Sequence, residues 1–286
     1  MSPEFRLGGD LPIKRLGFGA MRLPTASWQG PPRDPETGRA ILRRALELGV
    51  NHIDTADFYR SNDGSVRANT LIREALQPYP IGLVIATKVG PVFGPQGIRA
   101  AAPEQLRSLV EANLETLGRS CLDLVYLRIG AMEGPPRGES LAARFEALAK
   151  LREEGLIRHL GLSNVDAAQL AEARAIAQVA AVQNNFHVAN REEAAVLEVC
   201  AANGIAFAPF FPLGGGYTDL HAADEVAKRR NATSAQVALA WLLKLSPVTI
   251  AIPGTGSIAH LEENMRAASL SLASEDLAEL ANAGAK

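Results

Sequence analysis

Three polar residues near the ends of predicted strands could together carry out proton transfer. Asp54 lies at the end of one short apolar segment, Tyr59 follows it by five residues, and Lys88 ends the next segment; Arg128 stands near the end of the segment after that. A phenol is a poor acid or base near neutral pH, and a neighbouring ammonium group stabilises the phenolate and lowers the phenol's pKa. A carboxylate beside the lysine would keep it charged and oriented. Each residue alone could be an ordinary loop cap or solvated strand end, but together they indicate acid–base chemistry on an oxygen atom.

The elements that must position these residues alternate between short apolar strands and segments with helical spacing. The predicted strands are Leu16–Gly19, His52–Thr55, Val84–Lys88, Asp123–Leu127, His159–Ser163, Ala181–Asn184, Ile205–Phe210 and Val248–Ile252. Strict alternation indicates a parallel sheet covered by helices, and eight units of about 30 residues fill a (β/α)8 TIM barrel, an α/β fold with its chemistry at the strand ends. The alternative is a doubly wound sheet, but the turn after the first strand lacks the third glycine of its fingerprint.

Three further segments have a predicted place around this barrel. Residues 1–14 predict an N-terminal hairpin across the barrel bottom, with its turn at Gly8–Asp10. Residues 274–283 predict an extra C-terminal helix, and Gly90–Gly97 predicts a loop at the active rim. Because no linker divides the sequence, we expect one barrel domain over residues 1–286.

Composition excludes several classes of partner. Lys and Arg total 29 and Asp and Glu total 31, so the net charge of −2 gives no electrostatic reason to expect nucleic acid or an anionic membrane. The absence of a long apolar run and of a signal-peptide pattern predicts a cytoplasmic protein. Cys121 and Cys200 are expected to be thiols, although one disulfide stays open. No histidine or cysteine spacing is that of a zinc site, so no metal is expected.

Five motifs, in order along the chain, resemble those of the aldo-keto reductase family. They are the segments His52–Tyr59, Ala86–Val89, Gly161–Asn164, Val182–Asn185 and Ile252–Asn264. The resemblance extends from about Gly17 to Asn264, nearly the whole chain. It implies an oxidoreductase that transfers a hydride from a nicotinamide cofactor to the carbonyl carbon of a small aldehyde or ketone.

The resemblance also implies a role for individual residues. Tyr59 would donate the proton to the carbonyl oxygen, Lys88 would tune it, and Asp54 would pair with Lys88. Ser163, Asn164 and Gln183 would bind the nicotinamide carboxamide, and Phe210 would stack on its ring. The residues expected around the pyrophosphate and the adenosine are Leu213, Gly214, Gly215, Thr255, Ser257, His260, Glu263 and Asn264. For the glycines at 214–216, a flexible loop is the alternative explanation.

Two positions depart from the usual family pattern. Arg128 stands where many members have a histidine; it could polarise the carbonyl, lower the pKa of Tyr59, bind an anionic oxygen of the substrate, or turn away and serve only the structure. Many members also carry Lys and Arg in the 2′-phosphate site, near the positions of Gly254 and His260. Hydroxyls, backbone N–H groups and a histidine could still bind phosphate here. The Gly254-Thr255 form resembles a subgroup of the family that uses NADPH, so the resemblance implies NADPH rather than NADH as the cofactor.

A branch of the family resembles this chain further and suggests a substrate. The Leu-Arg at the end of the fourth strand and the segment Pro209–Gly215 are similar to the bacterial pyridoxal reductase branch. A cationic Arg128 would suit the phenolic oxygen beside the aldehyde of pyridoxal, and reduction would give pyridoxine. Two rivals stay open: a cofactor-binding regulatory or sensor subunit of the same fold with little turnover, similar to the potassium-channel β subunits, and a barrel with aldolase or isomerase chemistry. The expected assembly is a monomer or a weak homo-oligomer.

Overall fold

An N-terminal hairpin closes one end of the molecule. The computed structural model describes residues 4–94, 97–130, 134–216 and 220–283. Strands β1 (Glu4–Leu7) and β2 (Leu11–Lys14) pair antiparallel around the predicted turn, where Gly8 and Gly9 have positive φ angles that glycine adopts without steric cost. Leu7 and Ile13 are fully buried against residues of the parallel sheet. The predicted hairpin is therefore confirmed.

The central element is a parallel sheet of seven strands that pair in chain order. Its strands are β3 (Phe18–Gly19), β4 (His52–Asp54), β5 (Val84–Val89), β8 (Leu122–Arg128), β9 (Ile157–Ser163), β10 (Val179–Gln183) and β11 (Ala206–Phe207). Asp54 pairs with Ala86 and Arg128 with Ser163 in the strand register. Because all these strands are parallel, their polar C-terminal residues meet at one rim of the sheet.

The eighth predicted strand, Val248–Ile252, is not a regular strand. Thr249 makes an isolated parallel bridge to Phe207 at one edge of the sheet, and Ala251 makes another to Leu16 at the other edge. We call residues 248–253 the closing segment, because its hydrogen bonds to both edges join the sheet into a barrel of the (β/α)8 type. The prediction of a regular strand was wrong: residues 248–252 make one isolated bridge to each edge, next to strands β3 and β11 that are each only two residues long.

Helices cover the outside of the barrel. They are α1 (Pro35–Glu47), α2 (Ala68–Leu76), α3 (Leu106–Leu117), α4 (Ala142–Glu153), α5 (Ala167–Ile176), α6 (Ala194–Ala202), α7 (Asp224–Arg230), α8 (Ser234–Leu245), α9 (Ile258–Arg266) and α10 (Ser274–Ala283). The Asp34 carboxylate accepts the first N–H groups of α1, and the Ser257 hydroxyl accepts an N–H of α9, as N-caps do. The extra C-terminal helix predicted at residues 274–283 is confirmed by α10.

The segment predicted as a loop at Gly90–Gly97 is part of a β-hairpin instead. Strand β6 (Pro91–Gly94) pairs antiparallel with β7 (Gly97–Ala100), and residues 95–96 lie outside the described ranges. The prediction was wrong because the proline and the glycines indicated a loop, whereas the structure pairs Val92 with Arg99 and Phe93 with Ile98 across two short strands. The hairpin lies at the rim where the parallel strands end.

Two negative expectations can be compared with the described ranges. Cys121 and Cys200 are both free thiols, so neither forms the disulfide that the sequence left open. Within residues 4–94, 97–130, 134–216 and 220–283, every helix is too short or too polar to cross a lipid bilayer.

Candidate functional site

A buried ion pair lies at the rim of the barrel. Lys88 Nζ donates to Asp54 Oδ1 at 2.5 Å and to the Thr55 carbonyl oxygen at 3.1 Å, and Gln183 Nε2 donates to Asp54 Oδ2 at 2.7 Å. Asp54 is 4% exposed and Lys88 is 3% exposed. Burial acts to lower the pKa of Lys88, but the charges and hydrogen bonds of Asp54 and Tyr59 together outweigh burial, and the pKa is raised. Lys88 is therefore an ammonium group held by the end of the neighbouring strand β4, and Gln183 of β10 holds the other oxygen of Asp54.

Tyr59 lies directly above this ion pair. Its backbone N–H donates to the Ala56 carbonyl and its carbonyl accepts from Ala68 N–H, so the turn after β4 is fixed at both sides of the residue. Lys88 Nζ lies 4.9 Å from the centre of the Tyr59 ring. Burial raises the pKa of Tyr59, and the opposing charge of Lys88 does not reverse this. The expected net lowering of the Tyr59 pKa was wrong, because desolvation of the phenolate is the larger effect; the phenol stays protonated at neutral pH.

Arg128 extends from the end of β8 into the same site. Its Nη1 donates to Ser163 Oγ at 3.2 Å, and its Cζ lies 4.7 Å from the centre of the Phe210 ring. Burial lowers the pKa of Arg128 to about 10, so the guanidinium still carries its charge at neutral pH. Of the four alternatives left by the sequence, an Arg128 side chain turned away from the site is excluded.

Two cavities meet at Tyr59. The seam cavity, named for its position along the closing segment, has a volume of about 480 Å³, and the aromatic cavity, beside β6 and β7, has about 510 Å³. The two share one wall, formed by Met21, Arg22, Tyr59, Gln183, Phe210 and Phe211. A group bound in one cavity can therefore contact a group bound in the other at the Tyr59 side chain.

The aromatic cavity combines a cluster of mutually tilted aromatic rings with a few polar groups. The Trp28 and Phe93 ring centres are 6.1 Å apart, and those of Phe58 and Phe93 are 5.7 Å apart. Sequence reasoning missed Phe58 and Phe93 as site residues; the adjacent apolar residues Val92 and Phe93 in the rim segment were the signal that could have indicated Phe93.

Three polar residues face these rings: Arg128, Asn185 and His187. Asn185 Oδ1 is buried and has no hydrogen-bond partner within the described ranges. His187 Nδ1 accepts the Ala189 N–H at 3.3 Å, and burial lowers the pKa of His187. A neutral imidazole that accepts at Nδ1 carries its proton on Nε2. The cavity thus offers a cation, a hydrogen-bond acceptor and a neutral imidazole.

The seam cavity contains most of the residues predicted for cofactor binding. Among them, Gln183, Phe210, Leu213, Gly215, Thr255, Ser257 and His260 line it, and Gly214 lines the aromatic cavity. Gly19 of β3 and Gly254 face each other in its wall, where a Cβ on Gly254 would lie 2.5 Å from the Gly19 carbonyl oxygen. Arg33 also lines this cavity and was missed, because a single arginine before a helix cap belongs to no pattern.

Four predicted residues do not line either cavity. Ser163 is fully buried, and Asn164 Nδ2 donates to the carbonyl oxygens of Ile129 and Gly134, so its amide supports the loop after β8. Glu263 Oε1 accepts from Thr233 Oγ1 at 2.8 Å, towards α8. Asn264 is buried on α9. Within the part of the chain that the structure describes, no cluster of three or more His, Cys, Asp or Glu residues could hold a metal ion.

Comparisons with known proteins agree on one family. The sequence profile described as "Aldo/keto reductase family" matches residues 15–285. The chain is 46% identical over 278 residues to pyridoxine 4-dehydrogenase of Escherichia coli, covering 95% of each chain.

Two solved structures are also similar to this chain. The thermostable aldo-keto reductase Tm1743, solved with the inhibitor epalrestat, has a TM-score of 0.83 and 28% identity over 99% of this chain and 100% of its own. An aldo-keto reductase from Klebsiella pneumoniae, solved with NADPH, has a TM-score of 0.78 and 25% identity over 99% of this chain and 95% of its own.

Proposed function

Because the chain belongs to the aldo/keto reductase family, we propose that it is an NADPH-dependent oxidoreductase that reduces an aldehyde or ketone to an alcohol, with Tyr59 as the proton donor. The observation that carries this proposal is the position of Tyr59. The phenol stands in the wall shared by the seam cavity and the aromatic cavity, next to the buried Lys88–Asp54 pair. A carbonyl group at this wall would reach a proton donor and a cofactor together.

The seam cavity fits a nicotinamide dinucleotide in its chemistry. The close approach of Gly19 and Gly254 leaves backbone where a side chain would fill the cavity. Gln183 and Phe210 would hold the nicotinamide end, Leu213 with Gly214 and Gly215 the pyrophosphate, and Thr255 with Ser257 and His260 the adenosine end. Ser163, Asn164, Glu263 and Asn264 remain proposed cofactor residues, although each would need to act from behind the cavity wall. When bound, the cofactor would supply the hydride to the carbonyl carbon.

Tyr59 holds the proton that the carbonyl oxygen needs. Burial keeps the phenol neutral in the free protein, and the Lys88 ammonium stabilises the phenolate that remains after proton transfer. Asp54 keeps Lys88 in place and charged. Arg128 adds a second fixed positive charge at the aromatic cavity, which stabilises negative charge as it develops on the oxygen.

The aromatic cavity favours a flat aromatic aldehyde that bears an ionised oxygen, and pyridoxal is the proposed substrate. Trp28, Phe58 and Phe93 offer ring faces, and the Arg128 guanidinium would pair with a phenolate beside the aldehyde. Asn185 Oδ1 is a buried acceptor without a partner within the described ranges, which a substrate hydroxyl would satisfy. The E. coli relative named pyridoxine 4-dehydrogenase supports this choice.

A steady-state assay of Tyr59→Phe tests the proton donor. We expect kcat for pyridoxal reduction to fall by about 100- to 10,000-fold, with the Kd for NADPH unchanged, because only the transferred proton is lost. The matched control is Tyr79→Phe, which removes a hydroxyl that donates to the Leu117 carbonyl far from the site, and it should turn over like the wild type. If Tyr59→Phe keeps its turnover, Tyr59 is not the proton donor. NADPH binding without turnover of any carbonyl by the wild type would favour a cofactor-binding sensor subunit.

A pair of substrates tests the role of Arg128. We expect Arg128→Gln to lower kcat/KM for pyridoxal about 10- to 100-fold more than kcat/KM for 4-nitrobenzaldehyde, which lacks the phenolic oxygen. An equal loss of kcat/KM for both aldehydes would show that Arg128 does not bind the phenolic oxygen. If the wild type reduces 4-nitrobenzaldehyde as fast as pyridoxal, the pyridoxal proposal loses its support while the reductase proposal stands.

A further inference from the structure

The Arg33 guanidinium lies directly against Gly256. The φ angle of Gly256 is not positive, so the backbone at this position does not demand glycine. A Cβ built on Gly256 would lie 2.5 Å from Arg33 Cζ, closer than real Cβ contacts come. The Arg33 guanidinium therefore occupies the space that any side chain at position 256 would take, and Arg33 Nη1 donates to the Gly256 carbonyl oxygen at 3.3 Å.

The backbone around Arg33 is fixed so that the side chain crosses the barrel seam. Its N–H donates to the Pro24 carbonyl at 2.8 Å, and Thr25 and Pro32 form an antiparallel bridge beside it. The next residue, Asp34, caps helix α1. From this anchored position, Arg33 extends to the start of helix α9 at the far end of the seam cavity.

The Arg33 guanidinium differs from the other arginines of this region. Arg39 and Arg44 of helix α1 pair with Glu74 and Glu262. Within the described ranges, Arg33 Nε is buried without a hydrogen-bond partner, and the one acceptor found for the guanidinium is a backbone carbonyl. A guanidinium has five N–H donors, so most of its capacity is unused at a cavity wall.

The other groups at this end of the seam cavity bring donors but no permanent positive charge. Thr255 and Ser257 contribute hydroxyls, and His260 contributes an imidazole. Arg22, the other arginine in this wall, already donates to the Ala26 and Gly215 carbonyls. Arg33 is thus the fixed cation placed to meet an anion at the Thr255–His260 end.

We infer that Arg33, in contact with Gly256, makes the protein bind a dinucleotide with a phosphate on its adenosine ribose more tightly than a dinucleotide without that phosphate. The inference rests on the proposed function, in that it assumes a nicotinamide dinucleotide in the seam cavity. A phosphate monoester and a guanidinium form short, charge-assisted hydrogen bonds, often two at once. Here the positive charge reaches the segment 254–260 from the opposite side of the seam, from Arg33, the residue before the Asp34 cap of helix α1.

Direct binding measurements by calorimetry test this assignment without relying on turnover. We expect Arg33→Gln to weaken NADPH binding by about 10- to 100-fold and NADH binding by less than about twofold. The matched control is Arg43→Gln, which removes the same charge from the outer face of α1, where Arg43 pairs with Glu36, and it should change neither Kd. Circular dichroism melting of each variant checks that the fold is retained.

A second variant tests the contact between Arg33 and Gly256 rather than the charge of Arg33. Gly256→Ala should lower the NADPH preference in the same direction, because its Cβ displaces the guanidinium, and the double variant with Arg33→Gln should lose little more than either single variant. If Arg33→Gln keeps the wild-type ratio of the two Kd values while the wild type binds NADPH, the role of Arg33 is overturned and the proposed reductase stands. A wild type that prefers NADH also overturns it. A wild type that binds neither dinucleotide overturns the proposed function together with this inference.

Discussion

Breaking the Lys88–Asp54 pair should cost much more than its single ion pair suggests. In Lys88→Met, the Asp54 carboxylate stays buried with Gln183 Nε2 as its remaining side-chain donor. Removal of one partner from a buried pair typically lowers the free energy of unfolding by about 3–5 kcal/mol, because an uncompensated charge is left behind. Asp54→Asn leaves the buried Lys88 ammonium in the same position, and we expect a loss of similar size.

The double variant Lys88→Met with Asp54→Asn should recover much of this loss, since no unpaired charge remains. We expect the double variant to lose less free energy of unfolding than the sum of the losses in the two single variants, by at least about 3 kcal/mol.

The assay is reversible urea unfolding, followed by circular dichroism, on the four proteins of this cycle. Lys228 and Glu225 provide the matched control, since they form an ion pair at 2.7 Å with side chains that are 73% and 70% exposed. The cycle of Lys228→Met and Glu225→Gln should give a much smaller coupling than the buried pair, because solvent screens the two exposed charges. If the Lys88–Asp54 effects add to within about 0.5 kcal/mol, the reasoning from burial is refuted.

Three further predictions follow from individual side chains. Because burial raises the pKa of Tyr59, kcat/KM for carbonyl reduction should stay level from about pH 6 to about pH 9. Alcohol oxidation needs the phenolate, so its kcat/KM should rise with pH. A fall in kcat/KM for reduction across that range would show that the phenol titrates there. Burial lowers the pKa of His52 from 6.5 to about 4, so the free energy of unfolding should fall by about 3 kcal/mol as the pH drops through this interval. In urea unfolding at a series of pH values, His52→Leu should lose less of its free energy of unfolding at acid pH than the wild type. Gly161→Ala places a Cβ 2.6 Å from Tyr126 Cδ1 inside the barrel and should lower the free energy of unfolding by about 1–3 kcal/mol; an unchanged urea midpoint would mean that the interior has room.

The polar ends of the strands were predictable because parallel strands bring their C-terminal ends to one rim. Each of these residues is the last or the second-last residue of its strand and has its side chain at the site: Asp54, Lys88, Arg128 and Gln183. The hairpin of residues 1–14 was equally accessible, since adjacent glycines between two apolar runs predict a turn. The roles of the cofactor residues stay predictions.

Other features depend on packing that no local pattern records. The direction of the Tyr59 pKa shift depends on the balance between burial, which raises it, and the Lys88 charge, which lowers it. The sequence indicates the neighbouring Lys88 but not how deeply Tyr59 is buried. Arg33 and Gly256 are more than two hundred residues apart, so their contact is invisible before the barrel closes. The closing segment was assigned a strand from its composition, but strand length is set by the neighbours that it meets.

The closing segment has a consequence for the motions of the barrel. Residues 248–253 join the sheet through isolated bridges, whereas β8 and β9 share a ladder along their whole length. Local opening costs least where hydrogen bonds are fewest, so the amides of this seam should exchange with solvent sooner than those of β8. Gly19 and Gly254 lie on the two sides of the seam, and both line the seam cavity. A ligand held between them would bind the closed barrel and not the opened one, so its binding free energy would be added to the free energy that keeps the barrel shut.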